Sequence, residues 1–574
     1  MTSFRVWAPR AEKVELVLTA ERRERLDGPD ERGWFQADVG GVGPGDDYAF
    51  SLDGGDPRPD PRSNWQPCGV HGPSRLVDHG AFPWTDDVWD GGVPLAQAVV
   101  YELHVGTFSP EGTYEGAIPR LDHLVALGVT AVELMPAADY PGRWGWGYDG
   151  VDLFAPRAAE GGPEGLKRLV DAAHARGLSV ILDVVYNHLG PSGNYLGDFG
   201  PYFTERYATP WGQAVNLDGP GSDAVREFVV DNARMWLRDY HVDGLRLDAI
   251  HAIVDTSATH ILEELATKVH QLQPPRFLIA ESDLNDPRLV RDSEVGGYAI
   301  DAQWSDDFHH ALHAVLTGER AGYYADFGEL GQLAKALRQG YVYDGGYSSY
   351  RRCRHGRAPT GIPATRFVGY LQNHDQVGNR AQGERSAALL DPDLLKLAAA
   401  LVLLGPWVPM LFQGEEWAAG TPFLYFTDHD DPELGRAVTA GRRREFAAFG
   451  WDPTEVPDPQ DPRSFRRSKL DWGEVTRPGH AELLDWHRRL IALRRATPAL
   501  SDGRFADVHV VDDDAGRWLV YTHGPVIVAA NLGDAAASVP VRAGVVELAS
   551  CAEATVDGDL ARLPPKGVIV LRTP

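Results

Sequence analysis

Cysteine is scarce in this chain: Cys68, Cys353 and Cys551 are the only three in 574 residues, and none belongs to a Cys-x-x-Cys pair. So odd and scattered a set builds neither a disulfide framework nor a cysteine-rich zinc site, and it suits a reducing compartment; a cytoplasmic location is expected. Long apolar runs are also missing. No stretch approaches the roughly 18 apolar residues of a spanning helix. The N-terminal MTSFRVWAPRAEKVELVL alternates apolar and polar residues and has no short apolar core followed by a small-residue cleavage site, so it does not read as a secretory signal. Basic residues are outnumbered, 55 against 82 acidic ones. The resulting net charge of −27 would repel nucleic acid and anionic membranes, and is compatible with a neutral substrate.

What is there divides into three regions. From Phe4 to about Trp84, short alternating runs (FRVWAP, KVELVL, GWFQADV, DDYAFSL) are punctuated by Gly, Pro and Asp without helical periodicity, which predicts a small β-sandwich over residues 1–90. The breaker-rich Asp86–Pro94 marks its boundary. Over 91–500, about eight strand-like runs alternate with amphipathic helical stretches: Val99–Phe108, Val129–Pro136, the runs from Leu178, Val242 and Arg276, Ala299–Phe308, Thr365–Asp375 and Trp407–Trp417. Regular β–α alternation predicts a parallel (β/α)8 TIM barrel, an α/β fold. Helices are expected over Glu164–Leu178, over Ser222–Tyr240 with Ser222 as N-cap, and in the closing HAELLDWHRRLIALRRATPAL. Val456–Ser464, rich in Pro and Asp, reads as an exposed loop. From 501 to 574 short strands return (DVHVV, RWLVYTHG, PVIVAANL, VVELA, GVIVLRTP), a second sandwich.

Four segments place acidic residues directly after apolar strand-like runs: LSVILDVVYNH, VDGLRLDAIHAI, RFLIAESD and YLQNHDQVGNR. An apolar strand ending in Asp, Glu or His is how a parallel barrel presents carboxylates at its C-terminal face. One such Asp alone is as often a helix N-cap or an ion-pair partner; four in one eight-strand pattern point to a site. Cleaving a glycosidic bond with retention needs a carboxylate nucleophile and a carboxylic acid about 5 Å apart. Asp248 and Glu281, at the tips of neighbouring strands, are the natural pair. Arg246, two residues before Asp248 and on the same face, is expected to hold it ionised; Glu281, after apolar Ile279 and Ala280, is placed for a raised pKa and the role of acid.

DVVYNH, GLRLDAIH, AES and QNHD match in order the four conserved regions of the α-amylase family of glycoside hydrolases, which this chain therefore resembles. The resemblance implies Asp248 as nucleophile, Glu281 as general acid/base and Asp375 as the third carboxylate, gripping sugar hydroxyls. It also implies that Arg246, His188 and His374 line the cleaved sugar's subsite, that Asp183 supports the site, and that WGYDG supplies Tyr148 beneath a sugar ring and Asp149 on its hydroxyls. Within the family, GLRLDAIHAI, AESDLNDP, YLQNHDQVGNRA and LFQGEEWAAGTPFLYFTDH are most similar to members acting on glucans capped by trehalose. His251 stands where α-amylases commonly carry a Lys, on the leaving-group side, which argues against an ordinary starch amylase. The implied reaction is hydrolysis of the α-1,4 bond between a maltooligosaccharide and a terminal trehalose. The implied substrate is maltooligosyltrehalose, with a maltooligosyltrehalose synthase as functional partner. Asp283, Asp286, His251 and Glu416 are candidates to read the trehalose unit, alongside Tyr425 and Phe426.

No cofactor or metal is expected. Asn187 matches a calcium-ligand position of many amylases but lacks an obvious oxygen cage, and support of its loop is the expected role. His309, His310 and His313 have helical spacing without a ligand motif and are read as a surface helix. Two other functions stay open: a glucan branching or debranching enzyme on the same architecture, and a catalytically silent glucan-binding protein.

Overall fold

The computed structural model describes residues 1–19, 21–448, 451–452 and 455–573. At its centre eight parallel strands close into a barrel: β1 (Val100–Leu103), β2 (Ala131–Leu134), β3 (Ser179–Val184), β4 (Gly244–Leu247), β5 (Phe277–Ala280), β6 (Ala302–Trp304), β7 (Phe367–Gly369) and β8 (Val408–Phe412). Each pairs with its neighbours in sequence, β8 closing on β1. The strands read as continuous apolar runs because helices cover their outer faces, while Val100, Ala131, Ile181, Ile279, Ala302, Val368, Val408 and Met410 fill the interior. Side chains alternate along a strand, so the residues two places on from this layer, Glu102, Glu133, Asp183 and Glu281, also point inward, one step nearer the C-terminal rim. Arg246 joins that level because it pairs with Asp183 across β3 and β4.

The outer helices include α1 (Leu121–Leu127), α2 (Gly162–His174), α3 (Ser222–Asp239), α4 (Ile261–Val269), α5 (Asp306–Thr317), α6 (Leu330–Gln339), α7 (Pro392–Leu403) and α8 (Pro478–Arg495). Alternation is not perfect: the β5 to β6 crossover carries only a 3-10 turn, Ser293–Val295. The observed strands are shorter than the apolar runs that announced them. Val105–Phe108 is a helical turn, α5 begins at Asp306, His374 opens a short helix capped by Asn373, and Glu415–Trp417 is a 3-10 turn. Near the rim helical turns replace the ladder, which apolar patterning does not register; of these four starts, the one at His374 is opened by a side-chain cap.

Three local readings are corrected. Ser222 is the first helical residue of α3 and not its cap; Gly221, at φ +82°, precedes it and offers no side-chain oxygen. His309, His310 and His313 lie on a buried face of α5, packed against Tyr323, Tyr324 and Phe327, because the α5–α6 connection and the segment after β7 cover that side. The Val456–Ser464 stretch is not an exposed loop throughout: Val456 and Ser464 are buried, and a helix starts at Pro462.

Before the barrel, Thr2–Trp7 pairs antiparallel with Trp34–Val39, and a four-stranded sheet runs in the order 23–25, 14–17, 47–52, 74–75. The breaker-rich segment after it is pinned: Asp86 accepts from His174 and His241, at 2.8 and 2.9 Å, and the Trp89 indole donates to Asp243 at 2.7 Å. After α8, a five-stranded sheet (order 508–513, 518–523, 526–531, 568–572, 545–549) packs on a three-stranded one over Val520, Ile527, Val539, Leu563 and Ile569. The five-stranded sheet falls on the five predicted runs; the three-stranded one, Ala537–Pro540, Thr555–Asp557 and Leu560–Leu563, lies outside them.

Candidate active site

Arg246 is the hub of the barrel's C-terminal end. Its guanidinium, 1% exposed, donates from Nη1 to Asp183 at 2.6 Å and Asp248 at 2.9 Å, and from Nη2 to Glu281 at 2.7 Å. Its plane lies 4.2 Å over the ring of Trp304 from β6. Asp248 and Glu281 thus flank one rigid fork, one on each terminal nitrogen, which fixes them as neighbours. Asn187 donates to the second oxygen of Asp248 at 2.7 Å and to its carbonyl at 2.8 Å, so Asn187 supports the loop and the carboxylate together. Glu281 Oε2 also accepts the Ala249 N–H at 2.8 Å, from a residue held at φ +39°.

Burial governs the electrostatics. It pushes the Asp248 carboxyl up from the ordinary value, and Arg246, with Asn187, pulls the other way. Glu281 is also raised by burial, against Arg246 and with repulsion from Asp248. Asp375 is raised by burial too; its backbone N–H bonds Asn373 at 2.9 Å, and Asn379 donates to its carboxylate at 2.7 Å.

A second set forms one wall. The Tyr148 hydroxyl meets Asp183 at 2.6 Å and His374 Nε2 at 2.8 Å, and its ring stacks on the His374 imidazole, 5.3 Å between centroids. His374 Nδ1 lies 2.5 Å from Glu102 on β1, which raises the imidazole's pKa against the cost of burial. His188 bonds the Tyr148 carbonyl at 2.9 Å, and the exposed Trp211 stacks flat on it at 4.5 Å. Asp149, raised by burial, faces His429 at 4.0 Å.

On the other side, Asp283 sits between His251 at 4.0 Å and Arg351 at 2.9 Å, each about one-third exposed or less. The remaining aglycone candidates separate from this group. Asp286 is engaged by its neighbour Arg288. Glu416 is fully buried, bound to Tyr101 and His123, and so is not a rim residue. Phe426 is buried among Phe423 and Phe465, and Tyr425 packs on Trp146 beneath Arg442.

Several residues escaped the sequence reading. Glu102 lies inside a strand run, where a Glu two places after an inward apolar residue is the only clue. Asp306 accepts from Tyr370 at 2.5 Å and is pushed well up by burial, with Glu281, Asp283 and Asp375 as repelling neighbours. Trp211 comes from the hairpin of Phe203–Thr209 and Gly212–Val215, an insertion after β3 with no local signature. Among the described residues no group of three His, Cys, Asp or Glu could hold a metal ion, and no helix is long and apolar enough to cross a membrane.

Comparison with known proteins fits this arrangement. Residues 77–206 match a family model described as the alpha-amylase catalytic domain, and residues 503–570 match a domain of unknown function (DUF3459). The chain is 51% identical to a malto-oligosyltrehalose trehalohydrolase of Rhizobium sp. (strain M-11), over 99% of this chain and 97% of that one. It is 53% identical to a protein of the same name from Arthrobacter ramosus, over 95% of each. The chain belongs to the malto-oligosyltrehalose trehalohydrolase family. Its members are glycoside hydrolases of the α-amylase type, and the fold of this chain is also close to that of a solved structure. A putative alpha amylase from Salmonella typhimurium superposes with a TM-score of 0.92 at 40% identity, covering 100% of this chain and 97% of that one. The family thus supplies the class of reaction.

Proposed function

We propose that this chain hydrolyses the α-1,4 bond next to the terminal trehalose of maltooligosyltrehalose, releasing trehalose and a maltooligosaccharide with net retention. The observation that carries the reading is the Arg246 fork bridging Asp248 and Glu281 at the rim. The glucosyl unit to be cleaved rests on Tyr148, with Asp149, His188, His374 and Asp375 on its hydroxyls. Glu281 gives its proton to the glycosidic oxygen as Asp248 attacks the anomeric carbon, breaking the C–O bond and forming a glycosyl ester. Trehalose departs, and Glu281, now ionised, takes a proton from water as that water displaces Asp248. The raised carboxyl of Glu281 suits a group that must arrive protonated. Asn187 and Arg246 share the load on Asp248, so its charge is stabilised in place.

His251, Asp283 and Arg351 occupy the leaving-group side and offer donors and acceptors to a non-reducing disaccharide. The substrate comes, on this reading, from a maltooligosyltrehalose synthase. A cytoplasmic location belongs to the same proposal; Cys68, Cys353 and Cys551 are all free thiols. The test is to incubate the protein separately with maltooligosyltrehalose and plain maltooligosaccharide and identify products by chromatography. Free trehalose from the first with little cleavage of the second supports the proposal. Equal cleavage of both or α-1,6-linked products would move the chain to an amylase or branching role, and binding without turnover would make it a glucan-binding protein.

A further inference from the structure

Near Arg246 the barrel interior holds a carboxyl group that the reaction does not use. Glu133 on β2 is 1% exposed, and neither of its oxygens has a hydrogen-bond partner among the described residues. In the parallel register it stands directly beside Glu102 on β1 and beside Ile181 on β3, two places before Asp183. The ionisable groups that face it are therefore Glu102 from β1, Asp183 from β3, Arg246 from β4 and, through Glu102, His374 after β7. The two groups that could attract it are already committed. Arg246 serves Asp183, Asp248 and Glu281, and His374 is held by Glu102 through its backbone N–H at 2.9 Å and its ring nitrogen at 2.5 Å.

We infer that Glu133 is a neutral carboxylic acid that positions Arg246 and His374 by declining to compete for them. The inference rests on the catalytic reading above only for its kinetic part. An ionised Glu133 would be a buried charge beside two other carboxyl groups, Glu102 and Asp183, with no donor of its own. Burial and repulsion from Glu102 both favour the protonated form, and only the attraction of Arg246 opposes them. Any anion at this point would also draw Arg246 down from Asp248 and Glu281, or His374 away from Tyr148. A protonated acid occupies the place without that pull.

Two variants and one spectrum test this. Glu133→Gln reproduces the neutral acid's shape and polarity, and Glu133→Met keeps its bulk without its polar atoms. Infrared difference spectra at neutral pH, wild type against Glu133→Gln, are expected to show the carbonyl band of one protonated carboxylic acid, lost in the variant. With maltooligosyltrehalose, Glu133→Gln is expected to keep kcat within about threefold, while Glu133→Met loses about tenfold or more in kcat with little change in KM. Absence of the acid band, or equal impairment of Gln and Met, would show that an ionised carboxylate is needed and overturn the inference. Wild-type kcat in Glu133→Met would overturn it by making the residue mere filling. Should Glu133→Met fail to fold, the infrared comparison decides. Should neither variant nor wild type turn over this substrate, the catalytic reading fails while the infrared result still judges the state of Glu133.

Discussion

Replacing Glu281 by Gln isolates a single proton. Oε2 of Glu281 accepts from Arg246 Nη2 at 2.7 Å and from the Ala249 N–H at 2.8 Å. Two donors on one oxygen place the acidic hydrogen on the other, Oε1. The amide of Gln fits the same frame with its carbonyl oxygen in the Oε2 position, so both bonds and the neighbouring Arg246–Asp248 contact survive. The NH2 then stands where the acid proton was, able to donate a hydrogen bond but not to transfer the proton. General acid catalysis is worth about 10²- to 10⁴-fold, or about 3 to 5 kcal/mol of barrel-bound transition-state stabilisation. With maltooligosyltrehalose, kcat for Glu281→Gln should fall by that range with KM nearly unchanged. Maltooligosyl fluoride needs no protonation of its leaving group, so the first step with it should stay within about tenfold of wild type, followed as fluoride release in a single turnover. Asp248→Ala, in contrast, should abolish turnover of both substrates while oligosaccharide binding is largely kept. Equal losses on both substrates for Glu281→Gln, or fluoride release surviving in Asp248→Ala, would refute the assignment of acid and nucleophile.

Other expectations follow from the same contacts. Tyr148→Phe removes the hydroxyl shared by Asp183 and His374 but keeps the ring, and should lower kcat about tenfold in steady-state assays without loss of secondary structure by circular dichroism. Trp211→Ala takes away an exposed platform above His188 and should raise KM several-fold with thermal stability unchanged, the ring being half exposed. Glu319, bonded to His313 and Arg380, has its carboxyl held down at about 2 from the ordinary 4.5. A depressed folded pKa means stability that is present above 4.5 and lost as pH falls toward 2. The gap in melting temperature between wild type and Glu319→Gln should therefore be largest above pH 5 and narrow on acidification; a gap independent of pH would refute this.

Much of the molecule was legible because barrels write themselves into sequence through burial on both faces. Each of the eight apolar runs contains a barrel strand, and the short alternating runs at either end mark most strands of the terminal sheets but not 23–25, 74–75 or the three-stranded sheet of 537–563. The ends of elements were less legible. At Val105, Asp306 and His374 the chain turns into helix within the predicted runs, and of these exits the one at His374 is set by a side-chain cap, Asn373. The three-histidine face of α5 was misread since periodicity identifies a helix without saying what packs on its second side. In the candidate site, Asp248, Glu281, Asp375, Arg246, His188, His374 and Tyr148 were named from their strand-end positions and family resemblance, and the fold gathers them around one cleft.

What the sequence determined by itself is the order of β and α units and the acidic residues at strand tips, since both follow from local periodicity and from chain-adjacent chemistry. What only the tertiary structure decided is which of those groups share a partner. Arg246 links Asp183, Asp248 and Glu281 because β3, β4 and β5 lie side by side in a fixed register. Glu416 sinks against Tyr101 and His123 instead of reaching the rim. Trp211 meets His188 across a hairpin, and Glu133 stands beside Glu102 although 31 residues separate them in the chain. Contacts of that kind depend on register and closure between strands distant in sequence, and no local pattern carries them.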